Sequence, residues 1–348
     1  MRIVDFRSDT VTLPTDEMLK AIMNAHLGDD QYREDPTVSE LQEKVAVKLG
    51  KEDALLVISG TQANLVSVMS QTRPGDKIIL EAESHTYYYE AGGISSVAGV
   101  IPHPVKGRLG VPDTTDVERI AQIEHKYHQP RPTLLCLENT HNRAGGTCIT
   151  PEQTSKLSSV AKSHDMHVHL DGARIFNAAV ALGTDVRNLT RDLDSVTFCL
   201  SKGLSCPLGS VIAGSREFIE RARKNRQMLG GAMRQAGVIA APGLVALETM
   251  IDRLRDDHDN ARRLAEGLVK MGVEIDIERV QTNIVLIELK QFGMNSMEFI
   301  SKIEKKGVKV GDYGPTTARM VTHRGIERDD VEYSLGVVSE IVEHIRKK

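Results

Sequence analysis

From about residue 36 to about residue 213 this sequence alternates short, almost wholly apolar runs with longer stretches that open on helix caps. That alternation constrains the fold more than any other feature. Strands with no polar alternation need both faces covered, and intervening helices supply the cover, so the pattern predicts a mostly parallel sheet between two helical layers. Asp35-Pro36 reads as an N-cap followed by proline at the first helical position, opening a helix through Leu41, Val45 and Leu49 to Gly50. Ala54 to Ile58 is then a buried strand, and Ser59-Gly60-Thr61 turns it into a helix over 62–71. Lys77 to Leu80, Thr133 to Leu137, His167 to Leu170, Val196 to Leu200 and Ser210 to Ala213 are further strands, with Thr150-Pro151 capping the helix before His167. After Gly243 the pattern changes to a long charged helical stretch, Leu244 to about Met271, and then strand 283–289, helix 296–306, strand 318–322 and helix 329–345. The expected organisation is α/β: a large domain over 1–243 with a mostly parallel sheet, and a smaller α+β domain over 244–348.

Composition narrows the function. The formal charge is −4 and the 44 basic residues are dispersed, so no nucleic-acid footprint or membrane-binding stripe is visible and the expected partner is a small molecule. The first residues lack a signal-peptide core, and no run approaches the ~20 apolar residues of a membrane span, so a soluble, cytoplasmic protein is expected. Cys136, Cys148, Cys199 and Cys206 form no CxxC pair, which argues against disulfides and structural zinc. No two of the 28 glycines are spaced G-x-G, and no Gly-Lys pair completes a phosphate loop of the G-x4-G-K-[ST] kind. Two common nucleotide-binding signatures are thereby excluded.

Lys202 stands where the apolar run Ser195 to Leu200 gives way to serine and glycine. A poorly hydrated amine at a strand end suits Schiff-base chemistry. Asp171 ends another strand, 31 residues upstream, where an acid could hold a cofactor's pyridine nitrogen protonated. Together they suggest pyridoxal phosphate. The competing local readings are a solvated lysine, an Asp171 that caps the helix from Ala173, and an Arg174 that pairs with Asp171. The Ser59-Gly60-Thr61 turn is the best phosphate cradle, since Gly60 permits close backbone approach and Thr61 adds a hydroxyl. His167 and His169 lack a third metal ligand nearby. His85, in Ser84-His-Thr-Tyr-Tyr-Tyr89-Glu90, could stack on a flat heterocycle, or the tyrosines could form a subunit interface.

Seven segments in register, Phe6 to Thr12, Gly28 to Asp30 with Glu34 to Thr37, Glu138 to Asn142, His169 to Asn177, Cys199 to Gly203, Met233 to Gln235 and Arg319 to His323, resemble the low-specificity L-threonine aldolases. These belong to the fold-type-I pyridoxal-phosphate superfamily. The resemblance implies that fold and retro-aldol cleavage of L-threonine or L-allo-threonine to glycine and an aldehyde. It implies that Lys202 bonds the cofactor aldehyde, Asp171 pairs with the pyridine nitrogen, Arg174 lies near the ring oxygen and substrate carboxylate, and His85 stacks on the ring. Gly60 and Thr61 match the phosphate turn, and Arg234 an arginine that reaches a phosphate from a neighbouring subunit. Ser8 and Arg319 match groups that hold the substrate carboxylate, and Tyr89 lies among the substrate-facing residues. His128 matches a second histidine that, with Tyr32, approaches the substrate hydroxyl from the partner chain, so a homo-oligomer, expected to be a tetramer, is implied. Three residues depart from the family pattern: Arg33 where glycine is usual, which suggests a more basic site mouth, Gln227 for a lysine, and Ala232 for a glycine. The β-hydroxyl base is left among His85, His128 and an oriented water. A different reaction on the same cofactor, β-elimination or transamination, and a silent cofactor-binding protein are the alternatives.

Overall fold

A computed structural model of the protein describes residues 2–122 and 126–346. Its strands are β1 (Val4–Asp5), β2 (Asp53–Val57), β3 (Lys77–Glu81), β4 (Ile101–Val105), β5 (Gly107–Arg108), β6 (Val111–Pro112), β7 (Pro132–Glu138), β8 (His167–Asp171), β9 (Ser195–Cys199), β10 (Ser210–Gly214), β11 (Ile284–Glu288), β12 (Val308–Lys309), β13 (Gly311–Asp312) and β14 (Thr317–Val321). The seven-stranded main sheet runs β2-β10-β9-β8-β7-β3-β4, with β10 antiparallel to both its neighbours and the other pairings parallel.

The unbroken apolar character of these strands follows from their two covered faces. In β2, Leu56 packs into the main core while Leu55 and Val57 pack against Ala63, Val66, Phe218 and Ile219 on the opposite side. In β7 the same period of two sends Leu135 and Leu137 to the main core and Leu134 and Cys136 toward Val68 and Ile94. A fully buried leucine or isoleucine contributes roughly 1.5–3 kcal/mol, so each such strand position stabilises the layer arrangement. Helix ends match their caps. Asp35 accepts the N–H of Val38 ahead of the Pro36–Leu49 helix, which stops at Gly50 with φ +63°, and Thr150 and Gln153 form a capping box.

β4 was not anticipated from the sequence. Its residues Ile-Pro-His-Pro-Val carry two prolines, which cannot donate to a ladder, and it lies at the sheet's edge. The stretch expected as one charged helix is two, Gly237–Thr249 and Leu254–Lys270.

The smaller unit has its own sheet, β11-β14-β13. Its core contains Leu264, Leu268, Val285, Phe299, Met320 and Val338, and also Val4 and Phe6. β1 pairs in parallel with β12, and Phe6 bridges Lys309 and Val321 by backbone hydrogen bonds. The N-terminal segment, expected with the large domain, therefore packs in the C-terminal unit, because its apolar residues complete that core. The expected boundary at residue 243 falls inside the Gly237–Thr249 helix.

Arg33 has φ +62°, the left-handed region that glycine enters freely, which explains why glycine suits this position. Its guanidinium pairs with Glu220 at 2.6 Å, so its charge is locally balanced rather than left to make the surroundings more basic.

The two units are joined by a buried ion pair. Asp9 Oδ1 and Oδ2 accept from Arg174 Nη2 and Nε, each at 2.7 Å, with both side chains almost wholly buried. Burial opposes ionisation of Asp9, but Arg174, with Lys202 and Arg319 nearby, holds the carboxyl far below the usual range. Asp9→Asn would leave Arg174 buried with no countercharge and is expected to cost about 3–5 kcal/mol at neutral pH. Since the folded carboxyl is the stronger acid, the pair's contribution is present above the unfolded value of ~3.9 and is lost as pH falls toward the folded one. Urea unfolding should show the gap between wild type and variant wide at pH ~7 and narrower at pH ~3.

Candidate active site

The carboxyl ends of β8 and β9 are adjacent, with Asp171 opposite Thr197 in the register, and the chain beyond each end carries the reactive side chains. Ligands of open parallel sheets bind at such ends. Three residues past β9, Lys202 is anchored through its carbonyl, which accepts from Thr12 Oγ1 at 3.0 Å and from the Ser205 N–H at 2.8 Å. A cleft of about 290 Å³ lies between the two units, and Ser8, His85, Tyr89, Arg174, Lys202 and Arg319 of the expected residues line it. Asn142, Asp312 and Tyr313 line it as well.

Asp171 lies buried beside this cleft. The helix that follows opens at Ile175 with Arg174 at its N-cap, so Asp171 does not cap it. Asp171 Oδ1 accepts the Ala173 N–H at 3.0 Å in a local turn, and Oδ2 accepts from Asn64 Nδ2 at 2.7 Å. Burial opposes its ionisation, yet the charges of His85 and Lys202 and these hydrogen bonds hold the carboxyl below its usual range. A buried carboxylate held ionised can keep a partner cation protonated. Arg174 pairs with Asp9 and not with Asp171, the alternative left open by the sequence.

His85 is placed from both directions. Its backbone N–H donates to Glu138 Oε2 at 2.6 Å, and its Nδ1 meets Glu90 Oε1 at 2.9 Å. Burial pulls the imidazole's pKa down, but Glu90 and Asp171 outweigh this and raise it. Glu138 also accepts the Asn142 N–H at 2.8 Å, and Asn142 Oδ1 accepts from Arg319 Nη1 at 2.9 Å. The Arg319 Nη2 donates to the carbonyl of Arg7, while its buried Nε has no hydrogen-bond partner. Tyr313 donates from its hydroxyl to the Asn142 carbonyl at 2.9 Å and stacks under Arg143 and Arg319.

Gly60 and Thr61 begin the Gly60–Gln71 helix. Ser59 Oγ accepts the N–H of Gln62, and a Cβ on Gly60 would sit 2.8 Å from Cys199 Sγ, so this approach of turn to strand requires glycine. The turn lies outside the cleft lining of the single chain, yet Asn64, one turn along the same helix, braces Asp171. Three further expected residues are likewise not brought to this cleft by their own chain. Tyr32 is 70% exposed, His128 is exposed and stacks edge-on with Tyr127, and Arg234 is exposed against Asp29 at 3.3 Å.

Asn64, Glu90, Glu138, Asn142 and Tyr313 were not singled out from sequence. Glu90, Glu138 and Asn142 stand inside recognised segments, and Asn64 is a lone polar residue on a buried helix face; Tyr313 gave no signal. His169 is fully buried and bonded to Ser195 Oγ and Asn64 Oδ1, at 2.8 and 3.3 Å. His85, Glu90 and Asp171 offer ligand atoms within 4.8 Å of one another, but direct and Asn64-bridged hydrogen bonds already connect them.

The Beta-eliminating lyase family matches residues 5–291. Low-specificity L-threonine aldolase 1 of Arabidopsis thaliana is 44% identical over 96% of this chain and 95% of its own, and low specificity L-threonine aldolase of Escherichia coli (strain K12) is 38% identical over 94% and 96%. The solved threonine aldolase of Leishmania major superposes with a TM-score of 0.83 at 19% identity, covering 97% of this chain and 99% of that one, which shows a shared fold. With the family matched over most of its length and relatives of this identity spanning nearly all of it, the chain belongs to the beta-eliminating lyases, in the company of the low-specificity L-threonine aldolases.

Proposed function

We propose that the protein cleaves β-hydroxy-α-amino acids, L-threonine and L-allo-threonine among them, to glycine and an aldehyde, with pyridoxal 5′-phosphate as cofactor. The observation that carries this reading is one cleft lined by a lysine amine and two arginines, with a buried, ionised acid beside it. The residues fit the cofactor. Lys202 supplies the amine for its aldehyde, Asp171 the countercharge for its ring nitrogen, His85 a flat face, and the glycine-only turn at Gly60 an anion cradle. When bound, the cofactor supplies an electron sink that weakens the Cα bond perpendicular to its ring.

The protein's own groups then choose the bond. Arg319 and Ser8 line the cleft and would hold the substrate carboxylate, while Arg174, with two donors committed to Asp9, has Nη1 to spare. Gripping the carboxylate there turns Cα–Cβ toward the perpendicular. His85, its Nδ1 bonded to Glu90, has Nε2 to receive the β-hydroxyl proton, and such a base contributes roughly 10²- to 10⁴-fold. Four cysteines, all buried and unpaired, suit a reducing cytoplasm.

We also assign the exposed Tyr32, His128 and Arg234 to the cleft of a neighbouring subunit in a homo-oligomer, with a tetramer as the favoured assembly. Their exposure supports this.

Purified protein given pyridoxal 5′-phosphate should show an absorbance band near the edge of the visible and convert L-threonine to glycine and acetaldehyde. Lys202→Ala should remove both; full activity in that variant, or pyruvate and ammonia as the products, would defeat the assignment. Mixing Lys202→Ala with Arg234→Ala subunits, each nearly inactive alone, should restore a substantial fraction of wild-type activity. Hybrids as inactive as their parents would remove the shared-site reading.

A further inference from the structure

Behind the cleft runs a buried polar chain to which the proposed reaction assigns no role. Gln71 Nε2 donates to Ser195 Oγ at 2.8 Å, and the same oxygen lies 2.8 Å from His169 Nδ1. Burial pulls the His169 pKa down to about 4, leaving the ring neutral with its one N–H on Nε2, facing Asn64 Oδ1 at 3.3 Å. Thr197 Oγ1 approaches the same oxygen at 3.5 Å. The Asn64 amide is thereby oriented, and its Nδ2 donates to Asp171 Oδ2 and Glu90 Oε1, each at 2.7 Å. Glu90 Oε1 accepts there, so when Glu90 is ionised the His85 Nδ1 that meets it at 2.9 Å is the donor.

Nothing in packing explains Glu90. It is 4% exposed, its Oε2 is buried without a hydrogen-bond partner, and it shares an amide donor with a second carboxylate. Burial, with Asp171 close by, pushes its pKa up. A half-satisfied buried carboxylate costs stability, and such groups persist where they serve a site.

We propose that Glu90 is a positioning residue that holds the His85 ring through Nδ1–H, leaving Nε2 unprotonated toward the cleft, and that Asn64 ties this orientation to the acid Asp171. The groups facing His85 are Glu90, Asp171 and Lys202, with the Tyr89 ring 5.4 Å away and Glu138 on its backbone N–H. Removing the Glu90 charge favours the neutral ring but lets it turn or change tautomer. The kinetic part rests on the aldolase reading, whereas the ring's protonation pattern does not.

The test begins with cofactor-free wild type, by long-range nitrogen–proton correlation of the histidine rings, with His85 assigned through His85→Asn. Neutral His85 is expected to carry its proton on Nδ1; an Nε2–H ring would overturn the proposal without any Glu90 variant. In Glu90→Gln the His85 titration should move to lower pH, and in Glu90→Asp, which keeps the charge, less so. With cofactor and L-threonine, Glu90→Gln should lose about 10-fold or more in kcat while KM stays within about twofold, and the acid limb of kcat/KM should move to lower pH. A folded Glu90→Gln with an unmoved His85 titration would sink the proposal, whatever its activity.

Discussion

A buried carboxylate at the end of β8 is the demand around which this site is built. Taking the Asp171 charge out of water is costly, and the protein meets the cost with short, directed contacts: Asn64 Nδ2, the Ala173 N–H, and the positive groups His85 and Lys202. Each of these has another task. Asn64 belongs to the helix that begins at Gly60, Ala173 leads into Arg174, and Lys202 and His85 line the cleft. Stabilising one charge thus positions several reactive groups at once.

The same economy operates between the two units. Asp9 comes from a segment whose neighbours Val4 and Phe6 are packed in the smaller core, and it pairs with Arg174 from the larger one. The ion pair orients the guanidinium, and Asn142 and the Arg7 carbonyl do the same for Arg319. Two arginines from different units face one cleft without depending on solvent-exposed partners. Arg319 Nε and Glu90 Oε2 are among the buried polar atoms that this scheme leaves without a hydrogen-bond partner.

The strands were legible because an apolar run covered on both faces has no polar interruptions. The apolar runs predicted at 54–58, 167–170 and 196–200 lie within a residue or so of β2, β8 and β9. The two-proline strand β4 was illegible, because its edge position removes the ladder bonds that prolines would otherwise break. Lys202, Asp171 and His85 could be read from strand-end placement. Glu90 and Asn64 could not, since a buried carboxylate and amide look like ordinary surface residues until their partners, 107 positions apart for Asn64 and Asp171, are known.

By itself, the amino-acid sequence determined the layered α/β architecture, the strand-end lysine and acid, and a resemblance that pointed to one family. Those properties depend on local periodicity and on residues near each other in the chain. Only tertiary structure decided that the N-terminal segment completes the C-terminal core, that Arg174 answers Asp9 instead of Asp171, and that Glu90 stands behind His85. Each of these outcomes is a competition among buried groups for a limited set of partners, and side-chain positions across the fold resolve it.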